Sequence, residues 1–136
     1  MTALTEARLT KRRDGDIFNR AVAGTKKIFE GSLVCLNAAG FATPGATATT
    51  LVADGVALAT VDNTSGADGD LSVEVRKGTF RFVNSASTDA ITRAEIGDPC
   101  YVVDDQTVAK TNGTNTRSVA GTIVDVDAQG VWVKIA

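Results

Sequence analysis

The chain contains no histidine. That removes the commonest general base, the commonest transition-metal ligand and every histidine-based catalytic triad. Cys35 and Cys100 are the only cysteines. Two are too few to staple 136 residues into a disulfide framework, so both read as small buried hydrophobes, with a disulfide open to them only in an oxidising compartment. Aromatics are scarce, with one Trp, one Tyr and five Phe, which leaves little from which to line a ligand groove. Neither sign of charge dominates, the net being −2. Neither nucleic acid nor an anionic membrane is therefore expected as the main partner. No apolar run reaches the length of a membrane span or of a signal-peptide core, so the expectation is a soluble protein made in the cytosol. There is no serine elbow, phosphate-cradling glycine loop or CxxC pair. No enzymatic activity, cofactor or metal is expected.

What is present is turn chemistry and short apolar runs. Thirteen glycines against 2 prolines, with abundant Thr, Ala and Val, favour short strands joined by tight turns in an all-β sandwich or barrel. The length fits one domain. Residues 1–20 show no sustained period and read as an extended N-terminal arm, with a weak helical alternative over Leu4 to Leu9. Residues 21–136 read as a single β-rich domain. Apolar strands are expected at Leu33 to Leu36, at Leu51 to Val61 with a bulge or close approach at Gly55, and at Val119 to Val126. Pro99 is placed to start a strand running to Val103, and Thr107 to Ala109 to return from it. Leu71 to Val75 and Thr79 to Val83 both alternate and predict one hairpin about Lys77-Gly78. Ile91 to Ile96 predicts one helical turn stopped by Gly97. Asn112-Gly113 has the composition of a type I′ hairpin turn.

Two stretches have the same plan. Gly31 onward and Gly97 onward each give a glycine, an apolar strand with a cysteine, a turn, a short return, a Thr-rich loop, a second glycine (Gly55, Gly121) and a strand ending Val-Asp. The glycine spacing is equal in the two. This predicts a pseudo-repeat packed as a pair in one small barrel.

Candidate chemistry is thin. Asp104-Asp105 lies in a turn, and Asp125 with Asp127 on one strand face; both read as solvated charge. The aspartates of Asp62 to Asp70 lack the alternate-position ligands and closing glutamate of a calcium loop, and aspartate favours turns for its own reasons. In the last strand Val131, Val133 and Ile135 share one face, which puts Trp132 on the other as the candidate interface aromatic.

Ordered along nearly the whole chain are Lys11-Arg12-Arg13-Asp14-Gly15, Lys26-Lys27-Ile28-Phe29-Glu30-Gly31-Ser32-Leu33-Val34, Gly40-Phe41-Ala42-Thr43-Pro44-Gly45, Asp62-Asn63 with Gly66-Ala67-Asp68-Gly69, Gly97 through Val108, Ala120-Gly121, Val124-Asp125-Val126-Asp127 and Gly130-Val131-Trp132-Val133. In this ordered set the chain resembles the head decoration, or capsid cement, proteins of tailed phages. The resemblance implies an all-β small barrel or β-tulip-like domain with an extended arm, no catalytic residues, and a place on the outer surface of the virion capsid. There it would clamp neighbouring subunits of the major capsid protein as a homo-oligomer, a trimer ahead of a dimer. It turns the arm, with Thr2, Leu4, Arg8, Lys11, Arg12 and Arg13, into a capsid-binding strap able to add to a sheet edge. The alternative is a small barrel that binds a carbohydrate or peptide and serves as a host-surface adhesion module.

Overall fold

A computed structural model describes residues 2–11, 13 and 15–136. Among them are twelve strands: β1 (Ile17–Ala21), β2 (Lys26–Ile28), β3 (Leu33–Leu36), β4 (Ala42–Pro44), β5 (Val52–Ala57), β6 (Val61–Asn63), β7 (Ser72–Arg76), β8 (Gly78–Asn84), β9 (Pro99–Val102), β10 (Thr107–Ala109), β11 (Val119–Asp127) and β12 (Gly130–Ile135). The protein is all-β. Its only helical pieces among the described residues are 3-10 turns at Ser87–Asp89 and Arg93–Glu95. The second carries a capping box, in which Thr92 and Glu95 satisfy each other's backbone N–H groups, and it stops at Gly97, whose φ is +96°.

Two five-stranded sheets carry the fold. The first has the order β1-β7-β5-β3-β4, and the second closes as a barrel in the order β8-β12-β11-β9-β10 through parallel pairing of β10 with β8. These are the same order in two copies. The registers agree residue for residue, with a displacement that is constant within each pair of matching strands. In the first sheet Val34 faces Gly55 and Cys35 faces Ala53, leaving Asp54 bulged. In the second, Cys100 faces Gly121 and Tyr101 faces Val119, leaving Ala120 bulged. Leu36 opposite Ala42 matches Val102 opposite Val108. Phe18 opposite Val75 matches Phe80 opposite Val133. Even the closure has a counterpart, since the first sheet is joined from end to end by one parallel bridge, Val22 to Ala42. Turn bonds repeat too: Gly31 N–H donates to Ala57 O, and Gly97 N–H to Ile123 O, both at 2.9 Å. The molecule is thus two copies of one five-stranded unit, the first elaborated by the β2–β6 ribbon.

The expected repeat is real, but its copies do not share one barrel; each organises its own five-stranded sheet, and only the second closes as a barrel. The hairpin expected from Leu71 to Val83 is also absent. β7 pairs with β1 and β5, whereas β8 pairs with β12 and β10. Lys77-Gly78 is the crossing from one sheet to the other, and alternation alone cannot tell which strand a buried face will meet. Leu71 lies outside β7 and is 44% exposed, so only Val73 and Val75 face the core. Strand structure begins at Ile17, inside the stretch read as arm. Leu4 to Leu9 is not helical. Residues Gly113, Thr114 and Asn115 all have φ near +60°, and Asn112 O accepts from Thr116 and Arg117 N–H. This is a left-handed loop rather than a two-residue hairpin, because β10 and β11 are each paired to β9 and not to one another.

The core falls into two clusters. Val22, Ile28, Val34, Ala42, Ala57, Val73 and Val75 fill the first unit. The second cluster holds Phe82, Ile91, Cys100, Val102, Val108, Ala120, Ile123, Val131, Val133 and Ile135, and it also takes in Leu33 and Cys35 from β3. That explains why Leu33–Leu36 is a continuous apolar run: one side of β3 fills its own unit and the other side enters the neighbour's core.

Candidate functional site

The arm precedes β1 and is exposed wherever it is described. Thr2, Leu4, Arg8, Lys11 and Arg13 are all exposed, with Leu4 at 72% and its neighbour Leu9 at 92%. Arg12, also assigned to the strap, lies outside the described residues. The arm's root is tied at three points. The Arg13 guanidinium stands 5.9 Å from the Phe18 ring centre. Asp16 pairs with Arg76 at 3.8 Å. Its carbonyl accepts from Lys77 N–H at 2.8 Å.

Behind that root is a charge cluster. Asp54, the bulged residue of β5, is almost fully buried at 2% exposure. It accepts both arms of the Arg20 guanidinium, at 2.7 and 2.9 Å, and the Lys77 ammonium at 3.0 Å. Lys77 also donates to the Asp54 backbone carbonyl. Arg20 lies over the Phe18 ring at 4.9 Å and Lys77 at 5.8 Å. Burial by itself would push the Asp54 carboxyl up, but its hydrogen bonds from the two cations outweigh that and hold it below the usual carboxylate range. The strand registers map Arg20, Asp54 and Lys77 onto Phe82, Ala120 and Ile135 of the second unit. One unit has a paired charge cluster where the other has an apolar cluster. Sequence reasoning missed this site; the one local signal was an aspartate directly before a glycine expected to bulge.

Trp132 sits on the outer face of β12, half-buried. Its indole Nε1 donates to Asp127 Oδ2 at 3.0 Å, and Arg81 from the adjacent strand lies 5.7 Å from the ring centre. It is therefore built into its own strand neighbourhood and is not brought together with the arm residues by any contact among the described residues. The candidate carboxylates have structural duties. Asp104 accepts from Gln106 and Thr107 N–H, Asp127 from Gln129 and Gly130 N–H, and Asp125 from Val126 N–H. In the Asp62 to Asp70 loop, Asp62 binds Thr64, Asp68 accepts from Gly24 N–H and Asp70 from Ala67 N–H. The fold of that loop is held by buried Asn63, whose amide donates to the carbonyls of Val22, Ala23 and Ala67. Among the described residues no group of three or more acidic or thiol side chains is placed to hold a metal ion. Cys35 and Cys100 are buried and free, and burial pushes each thiol up to about 12.

The chain matches no family model, no curated protein and no solved structure.

Proposed function

We propose that the protein is a structural capsid decoration protein that binds the outside of an assembled phage head, contacts the major capsid protein through its N-terminal arm and acts as a homo-oligomer, with a trimer favoured. The observation that carries this reading is the contrast between arm and body. The body is a pair of packed β units in which Asp104 and Asp127 hold turns and the buried Asp54 is paired with two cations. The arm is exposed, basic and apolar by turns, and anchored at its root to the Asp54 cluster. A segment of that kind gains its contacts when it orders against a partner, and its cations suit a carboxylate-lined surface. Several such straps held in one oligomer resist detachment far better than one.

The test is co-sedimentation with expanded capsids, read together with the capsid melting temperature. Binding with a higher melting temperature is expected, and deletion of residues 1–13 should abolish it. Full-strength binding by the truncated chain would remove the strap, and no binding by the intact chain would remove the cement role.

A further inference from the structure

The joint between the two units is made of a face and an end. The face is the outer side of β3 and β5, with Leu33, Cys35, Ala53 and Val56. The end belongs to the second barrel, where Phe82, Ala120 and Ile135 lie in one core cluster with that face. Each half of this joint occurs a second time. The registers map the face onto Pro99, Tyr101, Val119 and Thr122 of β9 and β11. They map the end onto Arg20, Asp54 and Lys77 of the first unit. Neither duplicate is fully covered among the described residues, although Asp54 itself is buried beneath its two cations. Val119 is 51% exposed, Pro99 and Thr122 are exposed and Tyr101 is half-buried. The side chains of Arg20 and Lys77 keep 28% and 25% of their surface in water.

We propose that these two halves meet between copies of the chain: the Pro99, Tyr101, Val119 and Thr122 face of one copy docks head-to-tail on the Arg20, Asp54 and Lys77 end of the next, repeating the joint inside each chain. The substitutions between the two versions follow from when each is covered. An end covered as the chain folds can be apolar. An end that faces water until a second copy arrives has to carry charge that is satisfied in both states. The matching face has changed with it. Where Cys35 enters the apolar core, its counterpart is Tyr101, an aromatic ring for the cations with a hydroxyl at its rim. Where Val56 packs, its counterpart is Thr122. The end already seats its cations on an aromatic, Phe18, at 4.9 and 5.8 Å. Because the two surfaces differ, the contact is heterologous and closes into a ring when the rotation between copies permits. This inference supplies the surface for the homo-oligomer proposed above and rests on that part of the reading alone, not on capsid binding.

The experiment is sedimentation velocity on the full chain across a concentration series, with no capsid present. The wild type is expected to sediment as more than one chain. Val119→Arg, which sets a cation against a cationic end, and Tyr101→Ala should each weaken association by about tenfold or more while keeping the wild-type melting profile. Lys77→Ala, on the other surface, should weaken it as well. A mixture of Val119→Arg and Lys77→Ala should give a two-chain species, since each retains the surface the other has lost. A wild type that stays a single chain overturns both the oligomer and the contact. A wild type that assembles with all three variants assembling equally well overturns the contact and leaves the oligomer standing. Weakening by the face variants but not by Lys77→Ala, or no two-chain species on mixing, overturns the head-to-tail arrangement.

Discussion

At the scale of single residues, the pseudo-symmetry supplies its own controls. Asp54→Asn should cost ~2–3 kcal/mol in urea unfolding, slightly under the ~3–5 kcal/mol expected when a fully buried pair is broken, because its partners are only part-buried. Installing the second unit's residues together, as Arg20→Phe, Asp54→Ala and Lys77→Ile, should recover most of that loss, since a buried charge cluster and an apolar set of similar volume are often equivalent. A triple variant no more stable than Asp54→Asn would show that the two ends are not interchangeable. Asp54 also gives the acid behaviour. Its folded carboxyl lies below its unfolded value of about 4. Its contribution is therefore complete above that value and lost as pH falls through the lower, folded one. Stability of the wild type should drop in that acidic window, and the triple variant should drop less. Glycines give a second matched pair. A Cβ on Gly55 would stand 2.2 Å from the Arg76 carbonyl oxygen, and one on Gly121 2.3 Å from that of Lys134; Arg76 and Lys134 are themselves equivalent positions. Both alanine substitutions should destabilise by about 1–3 kcal/mol through overpacking. Gly55→Ala should be the worse, since only Gly55 has a positive φ, +152°.

At the scale of elements, neighbours decided what local pattern could not. β7 and β8 each alternate and each buries one face, which is all that their sequences state. Lys77 then commits its ammonium to Asp54 of the first unit, while Gly78 already pairs with Ile135 of the second. The chain changes sheets between two adjacent residues. The loop from Asn112 to Arg117 shows the same limit. Asn-Gly signals positive φ, and positive φ is what Gly113 has, but the left-handed run continues through Thr114 and Asn115 because the strands on either side are not partners. Thr114 is β-branched at φ +61°, a conformation costing roughly 1–2 kcal/mol for a residue with a Cβ. Thr114→Gly should therefore raise the unfolding free energy by about 1 kcal/mol, and a fall would show that the loop has compensated for the strain elsewhere.

At the scale of the whole molecule, the two units are not independent domains in energetic terms. Leu33 and Cys35 are fully buried, yet they belong to the core of the second barrel. Ser118 Oγ donates to Ala48 O at 2.6 Å and accepts from Leu51 N–H. Leu33 N–H donates to Asp105 O. Cutting the chain between Lys77 and Gly78 should leave fragments 1–77 and 78–136 that do not fold alone, one with an uncovered apolar face and the other with an unplugged end. Mixed, they should regain the circular dichroism of the intact protein, and the intact protein should melt in one transition. Two separate transitions would show that the joint adds little.

Much of this architecture was legible in the chain itself. Short β-branched runs between glycines make strands because nothing else buries them, so the all-β class follows from composition and spacing. Leu33–Leu36, Pro99–Val102 and Thr107–Ala109 stand where their residues put them. The equal spacing of Gly31 to Gly55 and Gly97 to Gly121 marked a duplicated unit, because a bulge at the same place needs the same glycine. The arm's exposed basic residues were also visible, since a segment without period has no face to bury. Only the tertiary structure decided that the copies form separate sheets, that β3 serves two cores, and that Asp54 is held by Arg20 and Lys77. Those facts depend on which surfaces meet across long stretches of chain. A strand's pattern says that a face will be buried; the partner that buries it is chosen by packing, and packing made one end of this pair apolar and the other charged.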